Sequence, residues 1–242
     1  MSEDRDTAIH RQKPWLIDYE KLDYRRVWEK KRLEDAAQKH VIRGWLKSGN
    51  RCLELGAGFG RITEFLEPYF KEVTALELGT LNLRIAKSRL KSASLVRSDI
   101  GHIPFGDSTF DTVAMIRVVQ LLPQPRLVLR EISRVAKDGA TVILSMPNLA
   151  TNNILWAAQS IWNKGRQVGP YVWPFDRARY FVRVRDLAPE SMHLVKRRGT
   201  GLFDNPIGEA LRKSKGLYLL DVATSPLWFM KLDILMKFEV TK

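Results

Sequence analysis

Three acids, Glu54, Glu77 and Asp99, each stand at the end of a short apolar run, in CLEL, KEVTALEL and SLVRSD. Runs of this kind read as buried strands of a parallel sheet, and in such sheets ligands collect in the crevice outside the carboxyl ends of the strands. The first run passes directly into Gly56, Gly58 and Gly60 of CLELGAGFGR. A turn without Cβ atoms lets backbone approach a ligand closely, and an acid about 20 residues beyond its first glycine, here Glu77, accepts from both hydroxyls of a ribose at once. The chemistry implied is that of a nucleotide-type cofactor. A dinucleotide fingerprint would place its third glycine at position 61, where this chain has Arg61, so the spacing argues against NAD. Taken alone, the glycine-rich stretch is equally a tight loop between a strand and a helix.

The elements that must position these residues alternate along the chain. After the glycines, ITEFLEPYF reads as a helix, KEVTALEL as a second strand and SLVRSD as a third; FDTVAMI within IPFGDSTFDTVAMI is a fourth, fully buried strand. The helix LVLREISRVA follows, a turn ends at Gly139, and ATVILSMPN forms a fifth strand. DLAPESMHLVKRRGTG and LDILMKFEV suit a sixth and seventh strand, with NPIGEALRKSK as a helix between them. Upstream, residues 15–48 read as helices carrying an apolar stripe of Leu33, Ala36, Ala37, Val41, Trp45 and Leu46, ended by Gly49 and Asn50. The expected fold is α/β: a Rossmann-like seven-stranded mixed sheet with helices on both faces, N-terminal helices and a small cap insertion. The expected organisation is an N-terminal helical segment (1–48), a cofactor-binding core (49–148), and a cap with the final strands of the same domain (149–242).

LELGAGFGR, Glu77, SDIGHIPFGDSTFD and VVQLLPQPRLVLREISRVAKDGATVILSMPN together resemble, in order and spacing, the motifs of class I S-adenosylmethionine-dependent methyltransferases over roughly residues 40–150. Within that superfamily the later segment is most similar to the broad type 11 group that includes quinone-biosynthesis enzymes. The resemblance implies S-adenosyl-L-methionine as cofactor, with Gly56, Ala57, Gly58 and Gly60 along its methionine and ribose portion and Glu54 holding its amino group. It implies Glu77 on the ribose hydroxyls, Leu78 on the adenine face, Asp99 and the backbone of Ile100 at the adenine edge, and Ile116 and Arg117 closing the other side and opening onto the substrate. It implies methylation at O, N or C of a small, apolar or amphipathic molecule. Many relatives place histidine at one or both positions corresponding to Gln120 and Leu121. An amide cannot take a proton near neutral pH, so Gln120 and Arg117 are the remaining catalytic candidates, as orienting groups.

In relatives the N-terminal helices form one wall of the substrate site, which makes Tyr24, Trp28 and Arg32 candidates there, and the aromatic, turn-rich stretch 149–176 forms a cap contributing Trp156, Tyr171 and Trp173. Sealing of the domain edge and an ordinary apolar mini-core are the competing readings. Lys and Arg exceed acids by 40 − 27 = +13, and from Leu149 onward 15 basic residues face 8 acidic ones. Arg177, Arg179, Arg183 and Arg185 interleave with aromatics, and Lys196, Arg197 and Arg198 follow. Plain solvation is the first reading of such a surface, which also suits RNA or the periphery of an anionic membrane; an RNA methyltransferase using this basic region, or a non-catalytic relative that binds S-adenosylmethionine, is the alternative function. The acidic, non-apolar start MSEDRDTAIHR and the lack of about 18 uncharged apolar residues in a row lead to the expectation of a cytoplasmic protein without an integral membrane segment. The lone Cys52 suits core packing, and the four histidines show no metal-ligand spacing.

Overall fold

The computed structural model describes residues 23, 25, 28, 29, 31–47, 49–148, 151, 187–201, 220–227, 231 and 233–242. Its first helix, α1, spans Arg32–Arg43 and leads into strand β1, Gly49–Leu55. Helix α2 (Arg61–Leu66) and a 3₁₀ turn at Glu67–Tyr69 precede β2 (Phe70–Glu77). Helix α3 (Thr80–Arg89), β3 (Ser94–Arg97) and β4 (Phe110–Ile116) follow. A 3₁₀ turn at Val119–Leu121, helix α4 (Pro125–Val135), β5 (Ala136–Pro147), β6 (Met192–Thr200) and β7 (Asp233–Val240) complete the order.

The strands form one seven-stranded mixed sheet in the order β3-β2-β1-β4-β5-β7-β6, with β1 to β5 parallel and β7 antiparallel to both of its neighbours. This is the Rossmann-like architecture expected from the alternating strands and helices. The two-residue period of the central strands divides the core between the faces. Leu53, Leu55, Val113, Met115, Val142 and Leu144 pack with Val128, Leu129 and Ile132 of α4. Cys52, Ala114, Ile116 and Ile143 pack on the opposite face with Val41 and Ile42 of α1 and Ile62 and Leu66 of α2. Cys52 is accordingly a core residue, its thiol pKa pushed well up by burial, then by the charges of Glu54 and Asp111.

Two boundaries and one buried face differ from the sequence reading. Gly49 and Asn50 do not end a helix: α1 stops at Arg43, and both residues are already in β1. The cause is Asp111 on the neighbouring strand, whose Oδ2 accepts the N–H groups of Asn50 (3.1 Å) and Arg51 (2.8 Å), while a Cβ at Gly49 would lie 3.0 Å from the Asp111 Cβ. Strand β5 begins at Ala136 rather than after Gly139, because Ala136 pairs with Phe110 before the register shifts to Thr112–Thr141 and Gly139 takes φ 69° in the irregular stretch. The face that α1 buries is Glu34, Ala37, Gln38, Val41 and Ile42, so Ala36 is exposed and two polar side chains stand in the inward stripe. The expected helix NPIGEALRKSK lies outside the described residues.

Candidate cofactor site and the polar network beside it

Leu76 O accepts the N–H groups of Gly56 (2.9 Å) and Ala57 (3.0 Å), bending the chain out of β1 across the end of β2. Gly56, Gly58 and Gly60 all have positive φ, at 71°, 55° and 81°. The space around two of them differs. A Cβ on Gly56 would lie 2.5 Å from Val118 Cγ2, so this glycine lets the loop seat against the segment after β4. Among the described residues a Cβ on Gly58 would meet nothing within 4 Å, so among them the loop faces open space there.

Glu77 closes β2 directly beneath that space. Its Oε2 accepts the Gly58 N–H (2.7 Å) and its Oε1 the Gly79 N–H (2.8 Å), which fixes the carboxylate plane and joins the glycine loop to the start of α3. Leu78 follows with 38% of its surface exposed, an apolar wall beside a buried acid. Asp99 is exposed, and its Oδ1 accepts the Gly101 N–H (2.8 Å); Ile100 packs against the core. Glu54 is buried and accepts the Thr63 hydroxyl at 2.5 Å. Burial raises its pKa to about 7, against the Thr63 hydrogen bond and the Arg61 charge, with the Glu77 charge raising it further. Ala57 and Ile116 are buried at the same edge.

Arg117 follows β4 with φ 63°, its N–H donating to Ser145 O (3.0 Å) and Oγ (3.1 Å) and its carbonyl accepting from Gln120 Nε2 (2.5 Å). Its guanidinium turns toward α1 and β7, donating to Asp233 and to Glu34 Oε1 (3.4 Å). Asp233 is wholly buried and also accepts from Gln38 Nε2 (2.6 Å). Burial, opposed by the Arg117 charge and reinforced by the charge and hydrogen bond of Glu34, raises the Asp233 pKa well above the ordinary carboxylate range. Arg61 donates to Asp35 and to Gln38 Oε1 (2.9 Å), and its guanidinium carbon lies 3.5 Å from the centre of the Trp28 ring. Lys31 pairs with Glu34 at 2.6 Å. The start of β7 is held in turn by buried Lys231, which donates to Asp221 Oδ1 (2.5 Å) and Thr224 Oγ1 (2.8 Å).

The sequence reading thus named the residues of the glycine loop and the strand ends but missed this network. Glu34, Asp35, Gln38, Arg61 and Asp233 make it, and the one signal available was the pair Glu34 and Gln38, four apart and one turn before Val41. Trp28 is placed against Arg61, while Arg32 is exposed at the first turn of α1. Tyr24, Trp156, Tyr171 and Trp173 lie outside the described residues. So do Arg177, Arg179, Arg183 and Arg185; Lys196 is exposed on β6 and Arg197 and Arg198 are half-buried. Among the described residues no group of three His, Cys, Asp or Glu side chains could hold a metal, and no helix is long and apolar enough to cross a membrane, which leaves β-barrels untouched.

Residues 53–144 match the family described as Methyltransferase domain. Over that stretch the core is similar to a methyltransferase domain. The family's methyl donor is S-adenosylmethionine. A demethylmenaquinone methyltransferase of Thermotoga maritima is 33% identical over 100 residues, which are 40% of this chain and 43% of that protein. A phosphatidylethanolamine N-methyltransferase of Cereibacter sphaeroides is 29% identical over 102 residues, 40% of this chain and 50% of that protein. The chain therefore spans half or less of the length of these relatives. The methyltransferase solved in complex with the Haloferax volcanii activator Trm112 superposes with a TM-score of 0.62 at 17% identity, covering 93% of this chain and 98% of its own, a likeness of fold.

Proposed function

We propose that the protein transfers a methyl group from S-adenosylmethionine to a small, apolar or amphipathic acceptor. The observation that carries the reading is the Glu77 carboxylate, fixed by two backbone amides at the rim of the open space over Gly58. These residues fit the cofactor: the acid for ribose hydroxyls, exposed Leu78 for one adenine face, Asp99 for the exocyclic amine and the glycine loop for the methionine portion. When bound, S-adenosylmethionine supplies a methyl group already activated on a sulfonium. The chain then has to bind, orient and shield. Gln120 orients through its amide, and no side chain at 120 or 121 accepts a proton, so rate acceleration rests on proximity and alignment. The acceptor class draws support from the relatives, which are named for demethylmenaquinone and phosphatidylethanolamine.

Calorimetric titration of S-adenosylmethionine and S-adenosylhomocysteine into the protein and into Glu77→Ala tests the reading. Micromolar binding lost in the variant is the expected result; silence in the wild type overturns it. Binding without turnover on lipid, quinone or RNA pools would mark a cofactor-binding relative rather than an enzyme.

A further inference from the structure

The sheet order reverses between β1 and β4, the switch point at which open α/β sheets bind ligands, and Arg117 is the first residue beyond β4. Its backbone is in the left-handed region, which side-chain-bearing residues seldom adopt and which is found mostly where surrounding structure enforces it at functional sites. Here the enforcement is explicit, with Ser145 holding the N–H, Gln120 the carbonyl, and Asp233 and Glu34 the guanidinium.

Structural need alone does not account for this arrangement, since apolar side chains of similar volume stabilise a core as well as or better than a buried ion cluster. Both carboxylates behind Arg117 are buried, Asp233 at 0% and Glu34 at 1% exposure, whereas the Arg117 side chain keeps 24% of its surface accessible. Arg61, the other guanidinium of the network, keeps only 7%. Lys31, Arg61 and Arg117 lie 5.8, 3.5 and 5.9 Å from the centre of the Trp28 ring and face Glu34, Asp35 and Asp233. Burial, opposed by the Arg117 charge and reinforced by Glu34, pushes the Asp233 pKa well up.

We infer that Arg117 is the specificity-determining residue for the methyl acceptor, and that the acceptor presents to it a planar two-oxygen anion, a carboxylate. A guanidinium fork matches such a group in two parallel hydrogen bonds, which a point-charge lysine does not. Glu34 and Asp233 act through Arg117 as positioning residues.

The inference rests on the methyltransferase reading, and one titration series separates the two. S-adenosylhomocysteine is titrated first; then benzoate and its neutral isostere benzamide are titrated into the S-adenosylhomocysteine-loaded full chain. Benzoate is expected to bind at least tenfold more tightly than benzamide. The preference should narrow in Arg117→Lys and vanish in the double variant Arg117→Met with Asp233→Asn, which leaves no unmatched buried carboxylate at 233, with folding checked by cooperative melting. A structural role alone would weaken both probes alike. Equal affinity for the two probes in the wild type, or a preference that survives in the folded double variant, overturns the inference while leaving the methyltransferase reading intact. Failure of S-adenosylhomocysteine to bind overturns both.

Discussion

Glu54 is a carboxyl group that burial alone would keep neutral, and two partners pull it the other way: the Thr63 hydroxyl at 2.5 Å and the Arg61 charge. With its pKa raised from 4.5 to about 7, the folded chain holds this proton more tightly than the unfolded chain does. Between those two values the folded state carries more protons, so the contribution falls as pH rises through the window and is level above it. At about 1.4 kcal/mol per pH unit, that window amounts to about 3–4 kcal/mol. Glu54→Gln, which keeps an acceptor for Thr63, should therefore melt close to wild type at pH 4.5 and be more stable by about 2–3 kcal/mol at pH 8; denaturant titration at both pH values reads the difference, and parallel curves would show that Glu54 does not titrate in the window. The glycines make a second residue-scale contrast. Gly56→Ala meets Val118 at 2.5 Å as well as an unfavourable φ, whereas Gly58→Ala meets the φ alone. The first should cost clearly more than the 1–2 kcal/mol of a left-handed residue and be partly rescued by Val118→Ala; the second should cost about that amount in the free protein yet abolish S-adenosylhomocysteine binding, because its methyl group stands in the space the ligand would take. Urea unfolding paired with calorimetry separates the two effects.

Among elements, α1 shows both what sequence pattern conveys and what it leaves out. The strands and α4 were legible because their apolar periods are uninterrupted, as in FDTVAMI and LVLREISRV, and the motif spacing placed Glu77 and the glycines at the right edge of the sheet. In α1 the apolar period is broken by Glu34 and Gln38, and a reading by hydropathy turns those residues outward. They face inward because Arg117, Asp233 and Arg61, separated from them by 23 to 195 positions, supply the hydrogen bonds that burial would otherwise forfeit. No local window contains those partners, which is why the network stayed invisible while the glycine loop did not. Its energetics are lopsided: removing one member strands the others. Asp233→Ala leaves Arg117 and Gln38 without their shared acceptor and should destabilise the protein by about 3–5 kcal/mol, while the isosteric Asp233→Asn, which keeps an acceptor and sheds a group already prone to hold its proton, should cost far less. Hydrogen exchange of α1 amides would locate the loss, with protection falling first between Arg32 and Arg43; uniform loss across the sheet would instead mean that α1 and the sheet open as one unit.

At the scale of the whole molecule, the candidate cofactor site and the network meet in the segment that runs from Gly60 into α2. Gly60 ends the glycine loop and Arg61 begins the helix, so one peptide bond joins the loop over Glu77 to the clamp on α1. A ligand seated on the loop therefore bears on β1, β2 and β4 at their carboxyl ends and, through Arg61 and Arg117, on α1 and β7. Its binding energy should stabilise the folded chain as a unit rather than one lobe of it. At a hundredfold excess over the dissociation constant, a ligand of the native state adds about 2.7 kcal/mol, and for a chain of this size each kcal/mol moves the midpoint by about 2–4 °C. S-adenosylhomocysteine at that excess should raise the melting temperature by about 5–10 °C in a single sharper transition, and Glu77→Ala should show no rise. Scanning calorimetry distinguishes the alternatives. A rise confined to one of two resolved transitions would mean that α1 with β6 and β7 unfolds independently of the strands that carry the glycine loop, and that the Arg61 link transmits nothing.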